Sequence, residues 1–534
     1  MNKACLILAL IVNCALVVRA GADAQVPGQD APMTDCTSLT HIDFTGTLDA
    51  STQITEANAE PASDQLPAYC RVSGYVAPAV GFVLALPANN WNGKFLEQGC
   101  GGFCGGDLRE LIASNYGKPL LRDALRRGYS FLIFDGGHVH GVLDALWAYN
   151  NPQVQFEFGI RAPHVAALAG KAITERYYST APAKSYFSGC SSGGQQALSE
   201  AQRFPWDFDG IIAGAPSPTF SGPMMNYLWA GRALAGTINE ADLKLVHQAV
   251  VALCDMDDGI KDGIISDPQH CRFDPAELLC RSDRKDSRCL TATQVGAVKK
   301  VYAGPMTSKG EKLYTGGPLP GSELNWISES DAPSAAYVNH SGRPEPWAKQ
   351  YFAYIGFMPA PGPSWRPDDF DFDRDYKRLR MAESLFGAAD NPDLRKFKAA
   401  GGKLIVYQGL EDQSDIPTDS IDYYETTERT IGDHSATQAF FRLFLIPGMN
   451  HCTGGAGAFA IDYLNYLEAW VEKGQTPEKM IGAHVTSDDY ADWVKFPLDS
   501  SKVKFTRPLY PYPIRAKYRK GDPNSAASFG PTAP

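Results

Sequence analysis

The chain has 534 residues, 44% hydrophobic and 20% charged, with a formal net charge of −11. This is ordinary globular composition, in a chain long enough for one large domain carrying an insertion or for two to three domains. The negative charge and the lack of a basic run argue against a nucleic-acid partner, because nothing is provided to neutralise phosphates.

The first segment reads as an export signal. Lys3 supplies the positive start, Ala4 to Val18 an apolar run, and Ala22-Asp23-Ala24 an Ala-x-Ala cleavage site. The apolar run is too short to span a bilayer, and no other stretch reaches the length of a transmembrane helix, so no membrane anchor is expected. Cleavage after Ala24 predicts a secreted or periplasmic protein. It removes Cys5 and Cys14 and leaves ten cysteines, an even number that implies disulfides.

Residues 25–60 are polar and weakly patterned, with Cys36 and Cys70 placed to tie them to the body. Strand-like alternation runs from Tyr69 to Pro87, a turn follows at Trp91-Asn92-Gly93, and Lys94 to Gln98 reads as the next strand. It opens into Gly99-Cys100-Gly101-Gly102-Phe103-Cys104-Gly105-Gly106. Such a loop lets backbone N–H groups approach a substrate, with Gly102, or else Gly101, as a candidate oxyanion donor. Cys100 and Cys104 lack the second pair a zinc site needs, and a link between them would stiffen the loop. Tyr129 to Phe134 reads as a buried strand, and Asp135 and His138 at its end read as structural. Ile160 to Tyr178 reads as an amphipathic helix. Alternating strands and helices imply a mostly parallel sheet covered on both faces.

A short strand, Lys184 to Phe187, then leads into Ser188-Gly189-Cys190-Ser191-Ser192-Gly193-Gly194, and a helix follows over Gln195 to Arg203. Strand, Gly-x-Ser-x-Gly, helix is the nucleophile elbow of serine hydrolases, with glycines where side chains would collide with the neighbouring strand and helix. Another buried strand and turn follow at Phe208 to Pro216. From Ser217 to Lys398 the pattern is irregular, rich in proline and aromatics, and reads as an inserted lid. Inside it, Cys254-Asp255-Met256-Asp257-Asp258-Gly259-Ile260-Lys261-Asp262-Gly263-Ile264 crowds carboxylates that repel unless neutralised. Hard oxygen ligands at this density suit calcium, although the glycine position and the missing closing glutamate exclude an EF-hand. Cys254 with Cys271, and Cys280 with Cys289, would brace this region.

Order resumes in a strand at Gly402 to Gly409, followed by Leu410-Glu411-Asp412-Gln413-Ser414-Asp415. A serine nucleophile needs a base, and the base needs a carboxylate, in the chain order Ser, acid, His. Asp412 is the leading acid, with Asp415 and Glu411 as alternatives. Phe440 to Ile446 is one more strand, and His451 falls on the loop after it. His434 precedes that strand and His484 lies beyond a helix at Ala460–Lys473, so both fit worse. Cys190 precedes the serine and Cys452 follows the histidine. If Ser191 and His451 touch, these cysteines lie close enough to bridge and would weld elbow to histidine loop.

These marks together, Gly189-Cys190-Ser191-x-Gly193-Gly194, Gly409-Leu410-x-Asp412 and Pro447-Gly448-Met449-x-His451-Cys452, resemble the tannase and feruloyl esterase family over roughly Cys36 to Tyr518. The resemblance implies an α/β-hydrolase fold, with residues 25–216 and 399–534 forming the hydrolase domain and 217–398 the lid. It implies Ser191 as nucleophile, Asp412 as acid, His451 as base, and the N–H groups of Gly102 and Ser192 as oxyanion hole. It further implies a lid calcium held by the side chains of Asp255, Asp258 and Asp262 and the carbonyls of Ile260 and Ile264, with Asp257 spare. The implied disulfides are 36–70, 190–452, 254–271 and 280–289; Cys100–Cys104 is an additional expectation. One departure stands out. Terephthalate-monoester hydrolysis in this family uses a lid arginine for the substrate carboxylate, and Trp347 to Trp365 offers Tyr351, Phe352, Tyr354 and Phe357 but no arginine. The expectation is therefore a secreted serine esterase acting on small aromatic esters such as feruloyl or galloyl esters. The alternatives are synthetic aromatic monoesters, a lipase-like ester class, or a non-catalytic binder on a hydrolase scaffold.

Overall fold

The computed structural model describes residues 34–532, apart from 64, 282–285 and 333. The expected export signal lies outside the described residues. Nine strands form the central sheet: β1 (Thr52–Glu60), β2 (Tyr69–Val76), β3 (Val80–Pro87), β4 (Lys94–Gln98), β5 (Ser130–Phe134), β6 (Lys184–Cys190), β7 (Gly210–Gly214), β8 (Lys403–Gly409) and β9 (Phe441–Ile446). Their order is β1-β2-β3-β5-β4-β6-β7-β8-β9. The first four in that order pair antiparallel, and every neighbour from β5 to β9 is parallel. This is the α/β-hydrolase fold.

The strands are apolar throughout because both faces are covered. Along β3, Phe82, Leu84 and Leu86 enter one hydrophobic cluster while Val83 and Ala85 enter the other. Likewise in β9, Phe441 and Leu443 face one way, Phe444 and Ile446 the other. The helices Ala162–Tyr178, Ser192–Arg203 and Pro417–Ile431 pack on the first face, and Gly117–Arg126 and Tyr463–Lys473 on the second. Strand β1 falls in the stretch read as weakly patterned. It is an edge strand of the sheet, neighboured there by β2, and its exposed positions include the polar residues Gln53, Thr55 and Asn58, which blunt the edge.

Between β7 and β8 the chain adds no strand to this sheet. The excursion is more regular than its sequence suggested, containing the helices Ser221–Leu234, Glu240–Cys254, Ala292–Ala303 and Phe372–Phe386. Two of these begin at capping boxes, Asn239 with Asp242 and Thr291 with Gln294. The helix Ser221–Leu234 is buried on nearly every side, so it lacks the polar stripe that marks a helix in sequence. The excursion has its own apolar core, including Leu228, Val246, Val298, Trp326, Tyr337 and Phe352, joined from the hydrolase side by Phe103, Trp147 and Phe158. After β9, the antiparallel pair β10 (Met480–Val485) and β11 (Val503–Leu509) carries the chain back to the acidic loop at 255–264, where Arg507 Nη2 lies 2.6 Å from Asp262 Oδ2. The disulfides 36–70, 100–104, 190–452, 254–271 and 280–289 are all formed.

Candidate active site

Ser191 stands alone between the end of β6 and the helix beginning at Ser192, with φ 62° and ψ −123°. A non-glycine residue holds that conformation only under local constraint. Here the Ser191 N–H donates to Gly214 O at 3.0 Å, and glycines clear the surroundings. A Cβ on Gly189 would sit 2.4 Å from Gly193 O, and one on Gly194 2.3 Å from Gly214 O. Gly193, singled out by the motif, is less confined: its nearest contact would be Cys100 O at 3.2 Å.

Of the three candidate acids, Asp412 is the one hydrogen-bonded to His451, with Oδ2 2.9 Å from Nδ1. Asp412 is fully buried, and its other oxygen accepts from the N–H groups of Ser414 and Asp415 at 2.8 and 3.0 Å. Gln408 Nε2 donates to Oδ2 at 3.0 Å. With Nδ1 donating to a carboxylate, neutral His451 keeps its lone pair on Nε2. Burial opposes a charge on the ring, but the Asp412 charge and hydrogen bond, aided by Asp415, outweigh it and push His451 up to about 9. Burial pushes the Glu411 carboxyl up to about 8, against the pull of His247 and with the Glu323 charge adding to the rise. Asp415 stays close: its Oδ2 is 3.8 Å from His451 Nδ1 and accepts from Ser191 Oγ at 3.4 Å. The serine hydroxyl thus takes Asp415 as its partner, with His451 lining the same cavity. His434 pairs with Glu428 at 2.6 Å, and His484 Nδ1 meets Gly457 O at 2.9 Å, so neither is engaged with the serine. The Cys190–Cys452 disulfide joins the residue before the serine to the residue after the histidine.

The glycine-rich loop after β4 reaches the same cavity. Among the described residues, the N–H groups of Gly101, Gly102 and Ser192 have no protein acceptor. Gly102 has φ 59°, a Cβ there would approach Val142 O to 2.7 Å, and Ser192 Oγ donates to Gly102 O at 2.6 Å. Asp135 and His138 hold this loop from behind. Asp135 accepts from Gly81 and Gly137 N–H at 2.9 and 2.7 Å, and His138 Nε2 meets Phe103 O at 2.7 Å. His138 also stacks on Trp147, and burial drives its pKa down to about 4, which keeps the ring neutral.

The cavity over Ser191 measures ≈ 260 Å³. Its aromatic walls are Phe103, Tyr116, Phe220, Tyr227 and Trp347, and no lysine or arginine is among its lining residues. The lid aromatics picked out in sequence serve elsewhere: Tyr351, Phe352 and Phe357 are buried in the lid's own core. Other contributors carried no motif. Asn325 Nδ2 donates to Glu411 O at 3.0 Å and to Asn450 Oδ1 at 2.9 Å, bridging the acid and histidine loops from the lid. Tyr337 OH donates to Gln413 O at 2.6 Å, and Tyr227 OH lies 2.8 Å from Ser414 Oγ. Only spatial contact marks these residues.

In the acidic loop, Asp255 and Asp258 are buried and Asp257 is exposed. Asp255 Oδ1 accepts from the N–H groups of Asp262 and Gly263 at 3.1 and 3.0 Å. Asp258 accepts from Ile260 N–H at 3.1 Å and from Ser266 Oγ at 2.9 Å. Burial raises the Asp258 carboxyl, and the nearby Asp262 charge adds to that. Arg507 is the cation answering this cluster. An all-oxygen donor set with excess negative charge fits a hard divalent cation. Among the described residues, the trio of metal-competent side chains gathered within 4.8 Å is a different one, His164, Glu200 and Asp207. The three loop carboxylates are spread more widely, each held by nearby hydrogen-bond donors.

The profile of the family "Tannase and feruloyl esterase" matches residues 65–531. An uncharacterized esterase of Xanthomonas campestris is 34% identical over 90% of this chain and 88% of its own length. The mono(2-hydroxyethyl) terephthalate hydrolase of Piscinibacter sakaiensis is 32% identical over 90% of this chain and 87% of its own. Among solved structures, feruloyl esterase B from Aspergillus oryzae superposes with a TM-score of 0.75 at 26% identity, covering 93% of this chain and all of that one.

Proposed function

The chain belongs to the tannase and feruloyl esterase family of carboxylic ester hydrolases, and from that premise we propose that it is an exported serine esterase that cleaves uncharged aromatic esters through an acyl-enzyme. The observation that carries the mechanism is the Asp412–His451 hydrogen bond of 2.9 Å on a loop tied by Cys190–Cys452 to Ser191. The Ser191 hydroxyl turns from Asp415 to His451, gives its proton to Nε2 and attacks the ester carbonyl. Asp412 holds the ring and offsets the imidazolium charge. The carbonyl electron pair moves onto oxygen, where the unengaged N–H groups of Gly102 and Ser192 receive it; each such donor contributes roughly 10²–10³ in rate. His451 then protonates the leaving alcohol, and a water activated by the same nitrogen releases the acid.

The cavity supports the substrate class. Its flat aromatic walls suit feruloyl or galloyl groups, and with no lysine or arginine in its lining a carboxylate-bearing monoester would be desolvated there without a counter-charge. The loop at 255–264 would hold a structural calcium through Asp255, Asp258 and Asp262 and the carbonyls of Ile260 and Ile264. Its charge would relieve the carboxylate crowding and brace the lid against β11. Export is supported by the five disulfides, which persist in oxidising compartments, and no described helix is long and apolar enough to cross a membrane.

The test is turnover of methyl ferulate, methyl gallate and a terephthalate monoester. Wild type should hydrolyse the first two with the higher kcat/KM, and Ser191→Ala should abolish turnover while melting normally. Undiminished turnover in Ser191→Ala would overturn the mechanism, and preference for the terephthalate monoester would overturn the substrate class. Failure of a fluorophosphonate to label Ser191 would instead favour a non-catalytic binder.

A further inference from the structure

The proposed mechanism leaves one carboxyl in the cavity without a task. Asp415 lies three residues beyond Asp412, is 7% exposed and lines the cavity beside Ser191. Its Oδ2 accepts from Ser191 Oγ at 3.4 Å and stands 3.8 Å from His451 Nδ1, the nitrogen that Asp412 holds at 2.9 Å. Two carboxylates therefore flank one edge of a single imidazole. The other titratable groups acting on Asp415 are Asp419 from the helix Pro417–Ile431, and Tyr227, Tyr314 and Tyr337 from the lid. Tyr314 OH donates to Asp419 at 2.9 Å, and Tyr227 OH is engaged with Ser414. No lysine or arginine among the cavity's lining residues neutralises the pair.

We propose that Asp415 is a second catalytic carboxylate, which takes the Ser191 hydrogen bond in the free enzyme and joins Asp412 in stabilising the His451 imidazolium during attack. The proposal rests on the assignment of Ser191 and His451 above. In the step, the Ser191 O–H bond breaks and its proton passes to His451 Nε2. The Oγ–C bond forms, and the carbonyl π pair moves to oxygen. Asp415 gives up the serine hydrogen bond and forms no covalent bond; its charge faces the new positive charge across 3.8 Å. A negative group so near the serine would also discourage anionic substrates, consistent with the uncharged esters proposed above.

The ionisation directions agree with this geometry. Burial, with the Asp412 charge, pushes Asp415 up to about 7, against the pull of His451. Asp415 in turn is one of the charges that raise His451. The three groups titrate together, so the kinetics report the trio. A raised histidine must lose its proton before it can act as base, so activity climbs with pH through the acid limb. Deleting the Asp415 charge weakens proton binding by His451 and moves that limb to lower pH. The same deletion leaves the imidazolium less stabilised in the transition state, so the plateau falls. The two pH profiles should cross, whereas a purely structural role would lower the whole curve without moving the limb.

The experiment measures kcat/KM for methyl ferulate against pH for wild type, Asp415→Asn and Asp415→Ala, with thermal melts and fluorophosphonate titration of Ser191 in each. The expected result is an acid limb lowered by roughly one pH unit and a plateau lowered about tenfold. Asp415→Asn keeps the shape of the side chain, and Asp415→Ala checks that a misfit amide is not the cause. An unmoved limb in variants that melt normally and still label at Ser191 overturns the role of Asp415 while leaving the esterase reading intact. Absence of labelling in wild type overturns the esterase reading, and the role of Asp415 with it.

Discussion

Removing the Cys190–Cys452 disulfide is the perturbation whose size the structure sets most directly. The bond closes a loop of 262 residues, and the loop-closure relation assigns such a link roughly 5–6 kcal/mol of unfolded-state entropy. Two shorter disulfides, 254–271 and 280–289, lie inside the loop and shorten it by a few tens of residues. The dependence is logarithmic, so this changes the estimate little. Spread over the unfolding entropy of a chain this long, about 1 kcal/mol per kelvin, the loss corresponds to a melting shift of roughly 5 °C. The double variant Cys190→Ala/Cys452→Ala avoids a lone reactive thiol. The assay pairs its melting midpoint with kcat and KM for methyl ferulate, and kcat should fall more than tenfold because the bond also fixes the serine turn against the histidine loop. A midpoint shifted by less than about 1 °C, together with wild-type kcat, would refute both the entropic argument and the positioning argument.

Asp412→Asn should lower kcat by roughly 10³–10⁴ with little change in KM, since the amide cannot offset the imidazolium. A loss under about tenfold would transfer the orienting role to Asp415. Chelator treatment should lower the melting temperature, and added calcium should restore it; no shift, with no calcium found by metal analysis, would reject the site at 255–264. Asn325→Ala breaks the bridge between Glu411 O and Asn450 Oδ1. With a cost of about 1–3 kcal/mol, it should reduce kcat about tenfold or more while the lid stays folded, and unchanged kcat would remove Asn325 from the positioning set.

Particular residues show how far the sequence could be read. Ser191 was legible because a strand, a strained turn and a helix require glycines at short fixed offsets, a local steric rule written into the chain. His451 was legible because it follows the last strand of the central sheet and neighbours a cysteine that echoes Cys190. The choice of Asp412 over Asp415 and Glu411 was a different matter. All three sit on one short loop with the same residue chemistry, and their roles diverge only through the directions in which the folded loop aims them. Asp412 is hydrogen-bonded to His451 and Asp415 to Ser191, whereas Glu411 feels chiefly burial and the charges of His247 and Glu323. The lid misled for a related reason: helices buried on several sides show no amphipathic stripe, so Ser221–Leu234 read as irregular.

Near-neighbour constraints are thus what the sequence by itself determined: the elbow turn, the chain order of the candidate serine, acid and histidine, and the alternation that builds a sheet covered on both faces. Only the tertiary structure decided which lid aromatics wall the cavity, which lid residues brace the acid loop, and which carboxylate receives the Ser191 hydroxyl. Those contacts join residues far apart in the chain or select among chemically equal neighbours. Their energies depend on distance and burial in the folded protein, and neither quantity is carried by residue type or spacing.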